Sequence, residues 1–274
     1  MAKKKIGIYG QLNSTANNKV EDLYLVVDDH AISFSVKNIQ NDSYVAFESF
    51  AHTNEDSGWS QLVAYLQNNS KLIHAFYRQI HFVLNQPRML LSKVQEKKDL
   101  TIYMNELNLI QGEKFDEEVV VNTLAYIENG VVVYSVPDSL QSLLSRVFPT
   151  GKWSHYAKHL IEKQRENGIY LQVFNSFLCV HIVKDQLTQL LQYIPVESDS
   201  QNIYSILNAC KALNINPSQM EINVAGFNQE QSHWLNELMH YFEKSYIIIA
   251  PDNGVGANLN KEYPQHSFAP YFIF

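Results

Sequence analysis

The amino-acid sequence predicts an α/β protein built from two similar halves. Its 274 residues suffice for two domains of ordinary size. Hydrophobic residues make up 46% of the chain and charged residues 18%, which provides a sizeable core and excludes a globally disordered chain. The most informative observation is a repeat of pattern. Three strand-like segments, a helix and a further strand occur twice in the same order, with almost no identity of residues between the copies.

The first copy of the pattern follows an Asn-rich, aperiodic segment, residues 1–19, which we interpret as a mobile lead-in. Two apolar runs come next, and the second alternates strictly, as a half-buried strand does, after a break of hairpin length. A helix is predicted from Trp59 onward. The strands of this copy are predicted at residues 23–27, 32–36, 44–47 and 79–84. Pro87 then excludes continuation of the last strand within the interior of a sheet.

The middle of the chain predicts an insertion. A short helix around residues 88–94 is expected first, followed by a strand pair at residues 119–127 and 131–136. A helix then opens at Pro137 and ends before Gly151, where we place the boundary between the halves. The predicted domains are therefore the lead-in, a first lobe with an inserted β-hairpin at residues 20–150, and a second lobe at residues 151–274.

The second copy begins after a helix over residues 153–165, which stops at Asn167-Gly168. A helix capped by Ser198 or Ser200 and broken at Pro217 is expected before the last strand of the pattern. The strands of this copy are predicted at residues 169–173, 177–183, 187–194 and 221–225, with a further helix at 229–243 and a strand at 246–250.

Charge and cysteine usage limit the class of partner and the compartment. The formal net charge of −7 disfavours nucleic acid as a partner, because phosphate contacts need clustered Lys and Arg. No stretch approaches the roughly 18 apolar residues of a membrane span, so we expect no membrane insertion. Cys179 and Cys210 lie in apolar surroundings without CxxC spacing and are predicted to be buried free thiols. Free thiols suit a reducing compartment, so a cytoplasmic location is expected.

Four segments together resemble the actin-like ATPase fold, the core shared by actin, sugar kinases and heat-shock chaperone ATPases. They are the opening hairpin at residues 23–36, the strand-to-proline element at 82–90, the second hairpin at 169–183 and the strand end Val224-Ala225-Gly226-Phe227. The resemblance covers most of residues 20–250. It is closest to the reduced bacterial actin-like proteins of pilus-assembly and secretion platforms, and more specifically to a bacterial family of actin-like proteins of unknown function. It implies two ribonuclease-H-like halves, each with the order β-β-β-α-β-α-β.

The resemblance also implies where a nucleotide would bind in active members, which is between the lobes, with the turns of the two hairpins as phosphate clamps. Close approach of backbone N–H groups to phosphate favours glycine and small hydroxyl residues in those turns. A carboxylate at the end of the first strand holds hydrated Mg²⁺.

This sequence departs from that pattern in each motif. The first turn keeps Asp28 and Asp29 but has no glycine and no hydroxyl residue. The second turn offers Asn175 and Ser176, without a carboxylate or a glycine, and the Gly-Gly of the adenosine side is reduced to Gly226. These five residues form the candidate cofactor-binding site, in a degenerate form.

Other constellations have a functional and a structural interpretation. Residues 28–30, Asp-Asp-His, could ligate a metal ion or form a solvated hairpin tip, and the tip is favoured. His155 and His159 have the helical spacing of metal ligands but lack an acidic third partner, which favours a polar helix face. The apolar segment at residues 268–274 predicts either a last strand or a segment that docks on a partner.

We interpret the chain as a non-catalytic or degenerate actin-like protein that acts as a scaffold for another protein. The interpretation assigns no catalytic residue, no metal site and no cofactor. The 16 Tyr and 14 Phe fit a partner-binding surface as well as a rich core. The alternative is an ATP-binding protein or ATPase with a nonstandard site centred on Asp28, with ATP and Mg²⁺ as cofactors.

Overall fold

A computed structural model describes residues 2–29, 31–52, 58–94, 100–112, 118–226, 232–255, 261, 263–264 and 266–274. The chain divides into two units. The first comprises Met1–His159 with Asn253–Val255 and Phe274, and the second comprises Leu160–Asp252 with Gly256–Ile273.

The first unit contains a six-stranded sheet with the order β1-β4-β3-β2-β5-β9. Its strands are β1 (Ala2–Tyr9), β2 (Glu21–Val27), β3 (Ala31–Asn38), β4 (Ser43–His52), β5 (Gln79–Leu84) and β9 (Lys152–His155). The meander β2-β3-β4 is antiparallel, whereas β5 and β9 run parallel to β2. Strand β2 is buried almost throughout, as expected for a central strand covered on both faces.

Helices α1 (Trp59–Asn69) and α3 (Asp138–Val147) connect strands of this sheet. Helix α1 buries Leu62, Val63 and Leu66, whose spacing of three and four residues places them on one face. The parallel crossovers that these helices form bring the carboxyl ends of β2, β5 and β9 to the same edge of the sheet.

An insertion between β5 and α3 forms a separate three-stranded antiparallel sheet with the order β6-β8-β7. Its elements are β6 (Met89–Lys93), α2 (Leu100–Gln111), β7 (Glu118–Thr123) and β8 (Gly130–Val136). Tyr103 of α2 packs with Val131 and Val133 of β8 in a small apolar cluster.

The second unit repeats the strand arrangement in a five-stranded sheet with the order β12-β11-β10-β13-β14. Its elements are α4 (Tyr156–Lys163), which begins in the first unit, β10 (Gly168–Val173), β11 (Phe177–Lys184), β12 (Leu187–Pro195), α5 (Asp199–Ala212), β13 (Glu221–Ala225), α6 (Ser232–Met239) and β14 (Lys244–Ile247). Strands β10, β11 and β12 form an antiparallel meander, and β13 and β14 run parallel to β10. The predicted duplication of strands is therefore confirmed, in strand direction as well as in order.

The core of the second unit lies between the sheet and helices α5 and α6. Ile206 and Cys210 of α5 pack with Trp234 and Leu235 of α6 and with the inward side chains of the strands. Cys179 and Cys210 are both buried free thiols, as predicted.

Residues 2–9 form strand β1 rather than a mobile lead-in, and β1 pairs with β4. Ile6 and Ile8 point into the core. The lysines at positions 3–5 alternate between exposed and half-buried along the strand, and in the sequence such a run indicates a solvated segment. Lys4 binds the buried carboxylate of Glu48, which gives this lysine a place in a sheet.

Three other expectations differ from the structure. Within the helix predicted at residues 88–94, Met89–Lys93 forms β6 instead, because this short apolar run pairs with β8. The helix predicted over residues 153–165 is shorter in the structure, because Lys152–His155 forms β9, which pairs with β5, and α4 covers only Tyr156–Lys163. The two units divide between His159 and Leu160 rather than after Thr150.

The apolar segment at residues 268–274 does not form a strand. Ala269–Phe272 is a 3-10 turn. Within the first unit, the ring of Phe274 stacks on Tyr24 at 4.6 Å between ring centroids. Its carbonyl oxygen accepts hydrogen bonds from Lys37 and Tyr44 at 2.8 and 2.9 Å.

Candidate functional site

The first hairpin turn places a carboxylate at the carboxyl end of β2. The backbone N–H of Asp28 donates to the carbonyl of Ala31 at 2.9 Å, which closes a tight turn with Asp29 at its tip. His30, the other tip residue, lies outside the described residues. Asp28 is 8% exposed and Asp29 is half-buried, so the two adjacent carboxylates have different surroundings.

Asn85, the residue that follows β5, binds the Asp28 side chain. Its Nδ2 donates to Asp28 Oδ1 at 2.7 Å, and its backbone N–H donates to the carbonyl of Val27 at 2.9 Å. Asn85 is fully buried. The carboxylate and the amide meet because β2 and β5 are parallel neighbours, with Val27 paired to Leu84. Sequence reasoning missed Asn85, although a polar residue directly after a buried strand is a usable signal.

His155 joins the same edge from the next strand along. It ends β9, where it pairs with Leu84 of β5, and it is fully buried. Its Nε2–H donates to the carbonyl of Gln86 at 3.0 Å, and its Nδ1 accepts from the backbone N–H of Ala157 at 3.1 Å. Desolvation by burial lowers the pKa of His155 to about 4, and the hydrogen bond to Gln86 opposes this only in part. The side chain is therefore neutral at pH 7.

His155 and His159 do not form a ligand pair. His155 ends a strand, while His159 Nε2 lies 2.9 Å from Ser154 Oγ and its ring packs edge-on against Phe274. The alternative expectation of a polar helix face is also wrong for His155, which is buried. Among the described residues, no cluster of three or more His, Cys, Asp or Glu side chains is arranged to hold a metal ion.

The second hairpin turn has the same length as the first. The N–H of Phe174 donates to the carbonyl of Phe177 at 2.9 Å, which leaves Asn175 and Ser176 exposed at the tip. The carbonyl of Ser176 accepts from the N–H of Val196 at 3.0 Å, which ties the turn to the end of β12.

Gly226 lies at the carboxyl end of β13, beside the end of β10. Its φ of +87° lies in the region that favours glycine. A Cβ atom there would meet the carbonyl oxygen of Val173 at 2.3 Å and Pro270 Cγ at 2.9 Å. The N–H of Gly226 donates to the carbonyl of His266 at 2.8 Å. Its neighbour Phe227 lies outside the described residues.

The five predicted site residues thus fall into two sets. Asp28 and Asp29 belong to the first unit, where the structure adds Asn85 and His155 to their edge of the sheet. Asn175, Ser176 and Gly226 belong to the second unit, all at the carboxyl edge of its parallel strands.

The duplicated sheets define an actin-like ATPase fold. A structure from Bacteroides thetaiotaomicron, described as a protein with actin-like ATPase fold and unknown function, superimposes with a TM-score of 0.72 at 17% identity, covering 87% of this chain and 94% of that chain. The ethanolamine utilization protein EutJ from Carboxydothermus hydrogenoformans gives a TM-score of 0.48 at 6% identity, over 94% and 92% of the two chains.

The chain belongs to the family described as "Protein of unknown function (DUF3822)", which its sequence matches over residues 11–245. A search of curated proteins found no match. Within the described ranges, no helix has the length and apolarity to cross a membrane.

Proposed function

We propose that this chain is a non-catalytic actin-like protein that acts as a scaffold for a protein partner. The observation that carries the proposal is at Gly226. In active members of the fold, the corresponding glycine lets a nucleotide approach the backbone. In this chain the carbonyl of His266 accepts the N–H of Gly226, and a Cβ atom at Gly226 would meet Pro270 Cγ at 2.9 Å. These contacts of the chain with itself support a site that takes no nucleotide.

The two hairpin turns support the same conclusion. Phosphate clamps work through backbone N–H groups that are free to reach oxygen atoms. In both units the turn-closing N–H, that of Asp28 or Phe174, donates across its own turn instead. Neither described tip offers a glycine whose backbone could approach a phosphate closely.

An exposed apolar surface supports a protein partner. Helix α2 of the insertion buries Tyr103 and Leu107, yet its remaining faces expose Leu109 at 84% and Ile110 at 63%. Ile102, seven residues before Leu109, is exposed on the same face as Leu109. Clustered exposed apolar residues are a feature of protein-binding sites.

The test combines nucleotide titration with replacement of the apolar side chains. We expect Mg-ATP to leave the melting temperature unchanged and no ATP turnover. Photo-crosslinking in cells from position 105, an exposed residue one turn before Leu109 on α2, should yield a discrete adduct. The adduct should be absent when Leu109→Lys/Ile110→Lys is also present, and position 67, an exposed control on α1, should give none. ATP turnover without an adduct would overturn the proposal.

The alternative function, nucleotide binding at Asp28, is favoured by one observation. The Asp28 carboxylate and the Asn85 amide meet at the carboxyl edge of two parallel strands, where ligands bind in α/β sheets. If this is the function, Mg-ATP raises the melting temperature of the wild type, and Asp28→Asn abolishes the rise. Glu128→Gln is the control, since it neutralises an exposed carboxylate of the insertion that lies outside the candidate site.

A further inference from the structure

The edge strands of the three sheets differ in charge. An exposed edge pairs with other strands unless charges, bulges or cover prevent it, and lysine is a common protection. Five of the six edge strands among the described residues carry a charged side chain. These strands are β1 with Lys3, Lys4 and Lys5, β6 with Lys93, β7 with Glu118, β9 with Lys152 and β14 with Lys244. The sixth, β12, has none in its nine residues. Its bulge at Gln189 and its final residue, Pro195, leave Leu190–Ile194 as the regular, uncharged stretch of this edge.

Strand β12 is also flanked by an uncharged groove. Helix α5 lies beside it, and the two elements enclose a cavity of about 420 Å³. The lining includes Leu190 and Ile194 from the strand and Tyr204, Ser205 and Asn208 from the helix, and among the described residues it contains no charged side chain. Tyr204 is 61% exposed at the groove. The edge and its flank thus form one continuous neutral surface.

We propose that β12 is the edge through which two copies of this chain pair. Two identical strands pair antiparallel about a two-fold axis normal to the sheet, so residues near the axis lie opposite or diagonal to their own copies. A charged residue there would face its like charge, which destabilises the pair. The absence of charge on β12 removes this penalty, whereas the lysines of β1 would impose it.

Pairing at β12 joins two five-stranded sheets into one of ten strands. The axis normal to the sheet keeps both α5 helices on the same face, so the two neutral grooves become neighbours across the axis. The regular part of the strand, Leu190–Ile194, follows an irregularity opposite Ile182 and Val183. The axis is expected at the centre of this part, between Leu191 and Tyr193, which places Gln192 at most about 7–8 Å from its own copy.

This inference does not rest on the proposed function, because a scaffold for another protein can be monomeric or dimeric. It concerns a different surface from helix α2. Failure of the nucleotide and crosslinking tests would leave the dimer unaffected, and a monomer would leave the scaffold unaffected.

The test introduces charge at the exposed residue Gln192. The wild type should sediment as a dimer of twice 31.6 kDa. Gln192→Lys and Gln192→Glu should each raise the dissociation constant at least about tenfold, since two like charges repel at this distance near a protein surface. An equimolar mixture of the two variants should form a heterodimer, because opposite charges then meet. Gln67→Lys, an exposed glutamine on α1, is the matched control and should leave the dimer intact.

Restoration in the mixture separates loss of pairing from damage to the fold. A wild type that stays monomeric at about 100 µM, where even weak pairing is populated, overturns the proposal. If both charged variants remain fully dimeric, the interface lies elsewhere and the proposal is wrong. A mixture that stays monomeric also overturns it, and would leave the edge to a different protein strand.

Discussion

One histidine in each unit is buried in its neutral form. His155 of the first unit and His181 of the second are both fully buried. Protonation of His155 would place a second proton on Nδ1, which now accepts the N–H of Ala157. His181 lies within 3.1 Å of Gln164 and 3.0 Å of Thr188 through its two ring nitrogens. Burial lowers the pKa of each side chain from 6.5 to about 4.

These pKa values predict a loss of stability in mild acid. Below pH 6.5 the unfolded chain binds protons that folded His155 and His181 do not take up, so the free energy of unfolding falls as the pH falls from 6.5 toward 4. Above pH 6.5 these two groups contribute no slope. The loss amounts to at most about 3 kcal/mol for each histidine. Urea denaturation between pH 5 and pH 8 measures it.

His155→Gln and His181→Gln should each flatten this pH dependence, whatever they do to stability at pH 7. Gln67→Asn, an exposed substitution that removes no titratable group, is the control and should leave the slope unchanged. Equal slopes for the wild type and both buried variants would show that neither histidine stays neutral in the folded protein.

Gly226 gives a second prediction for a single residue. Gly226→Ala adds both an unfavourable φ and a clash with the Val173 carbonyl, which is backbone and cannot rotate away. Gly112 also has a positive φ, +71°, but a Cβ there meets nothing within 4 Å. Gly112→Ala should therefore cost about 1–2 kcal/mol from backbone conformation alone, and Gly226→Ala should cost more. Similar costs in urea denaturation would contradict the close packing at Gly226.

At the level of single residues, the sequence predicted two of the four polar residues described at the carboxyl edge of the first unit's sheet, Asp28 and Asp29. Asp28 was recognisable because it ends an apolar strand at a hairpin. Asn85 and His155 lie far from it in the chain, and only the parallel pairing of β2, β5 and β9 brings them to the same edge. The burial of His155 was hidden because its segment has the spacing of a helix.

A buried carboxylate of β4 binds side chains of strand β1, in addition to the backbone pairing of the two strands. Glu48 of β4 is fully buried and accepts hydrogen bonds from Lys4, Tyr9 and Ser70 side chains and from the Lys71 backbone. Lys4 and Tyr9 lie five residues apart on β1, and the Glu48 carboxylate binds both side chains. Removal of a partner leaves a buried charge incompletely compensated.

We expect Lys4→Met to lower the free energy of unfolding by about 1–3 kcal/mol. Glu48→Gln should also destabilise, and the double variant should lose less than the sum, since the removed charges interact directly. Lys3→Met is the control, because Lys3 is exposed on the same strand. Urea denaturation of the four proteins gives the coupling energy, and a value near zero would show that Lys4 is only an incidental neighbour.

Two errors in predicting elements, at β6 and β9, came from short apolar runs. The residues of β6 and β9 number five and four, too few for a period of 2.0 to be distinguished from one of 3.6. Pairing decides both cases, because β8 and β5 offer open edges to them. The longer strands of the two meanders were predicted correctly, since their alternation or continuous burial extends over six residues or more.

At the scale of the whole chain, the repeated pattern predicted the duplicated fold without any similarity of residues. The order of apolar segments follows from the topology of the sheet, because each unit consists of a meander followed by two parallel crossovers. The division between the units was less accessible. Position 150 has the strongest turn signals, yet β9 beyond it pairs with β5, and only that pairing assigns the segment to the first unit.

Both cysteines belong to the core of the second unit, which makes them reporters of its opening. Burial raises the pKa of the Cys179 thiol to about 12 and that of Cys210 to about 11, so the reactive thiolate is scarce as well as inaccessible. Cys210 lies on α5 in the apolar cluster between the sheet and the helices, and Leu178 and Val180 of β11 point into the same cluster. Cys179, between them on β11, therefore lies on the opposite face of the sheet. We expect a thiol reagent to label neither in the native protein and to label both at the same rate as urea increases, because β11 and α5 share the core of the second unit and open together. Mass spectrometry of the two labelled peptides measures the rates separately. Fast labelling of Cys210 alone would mean that α5 detaches from the sheet before the strands separate.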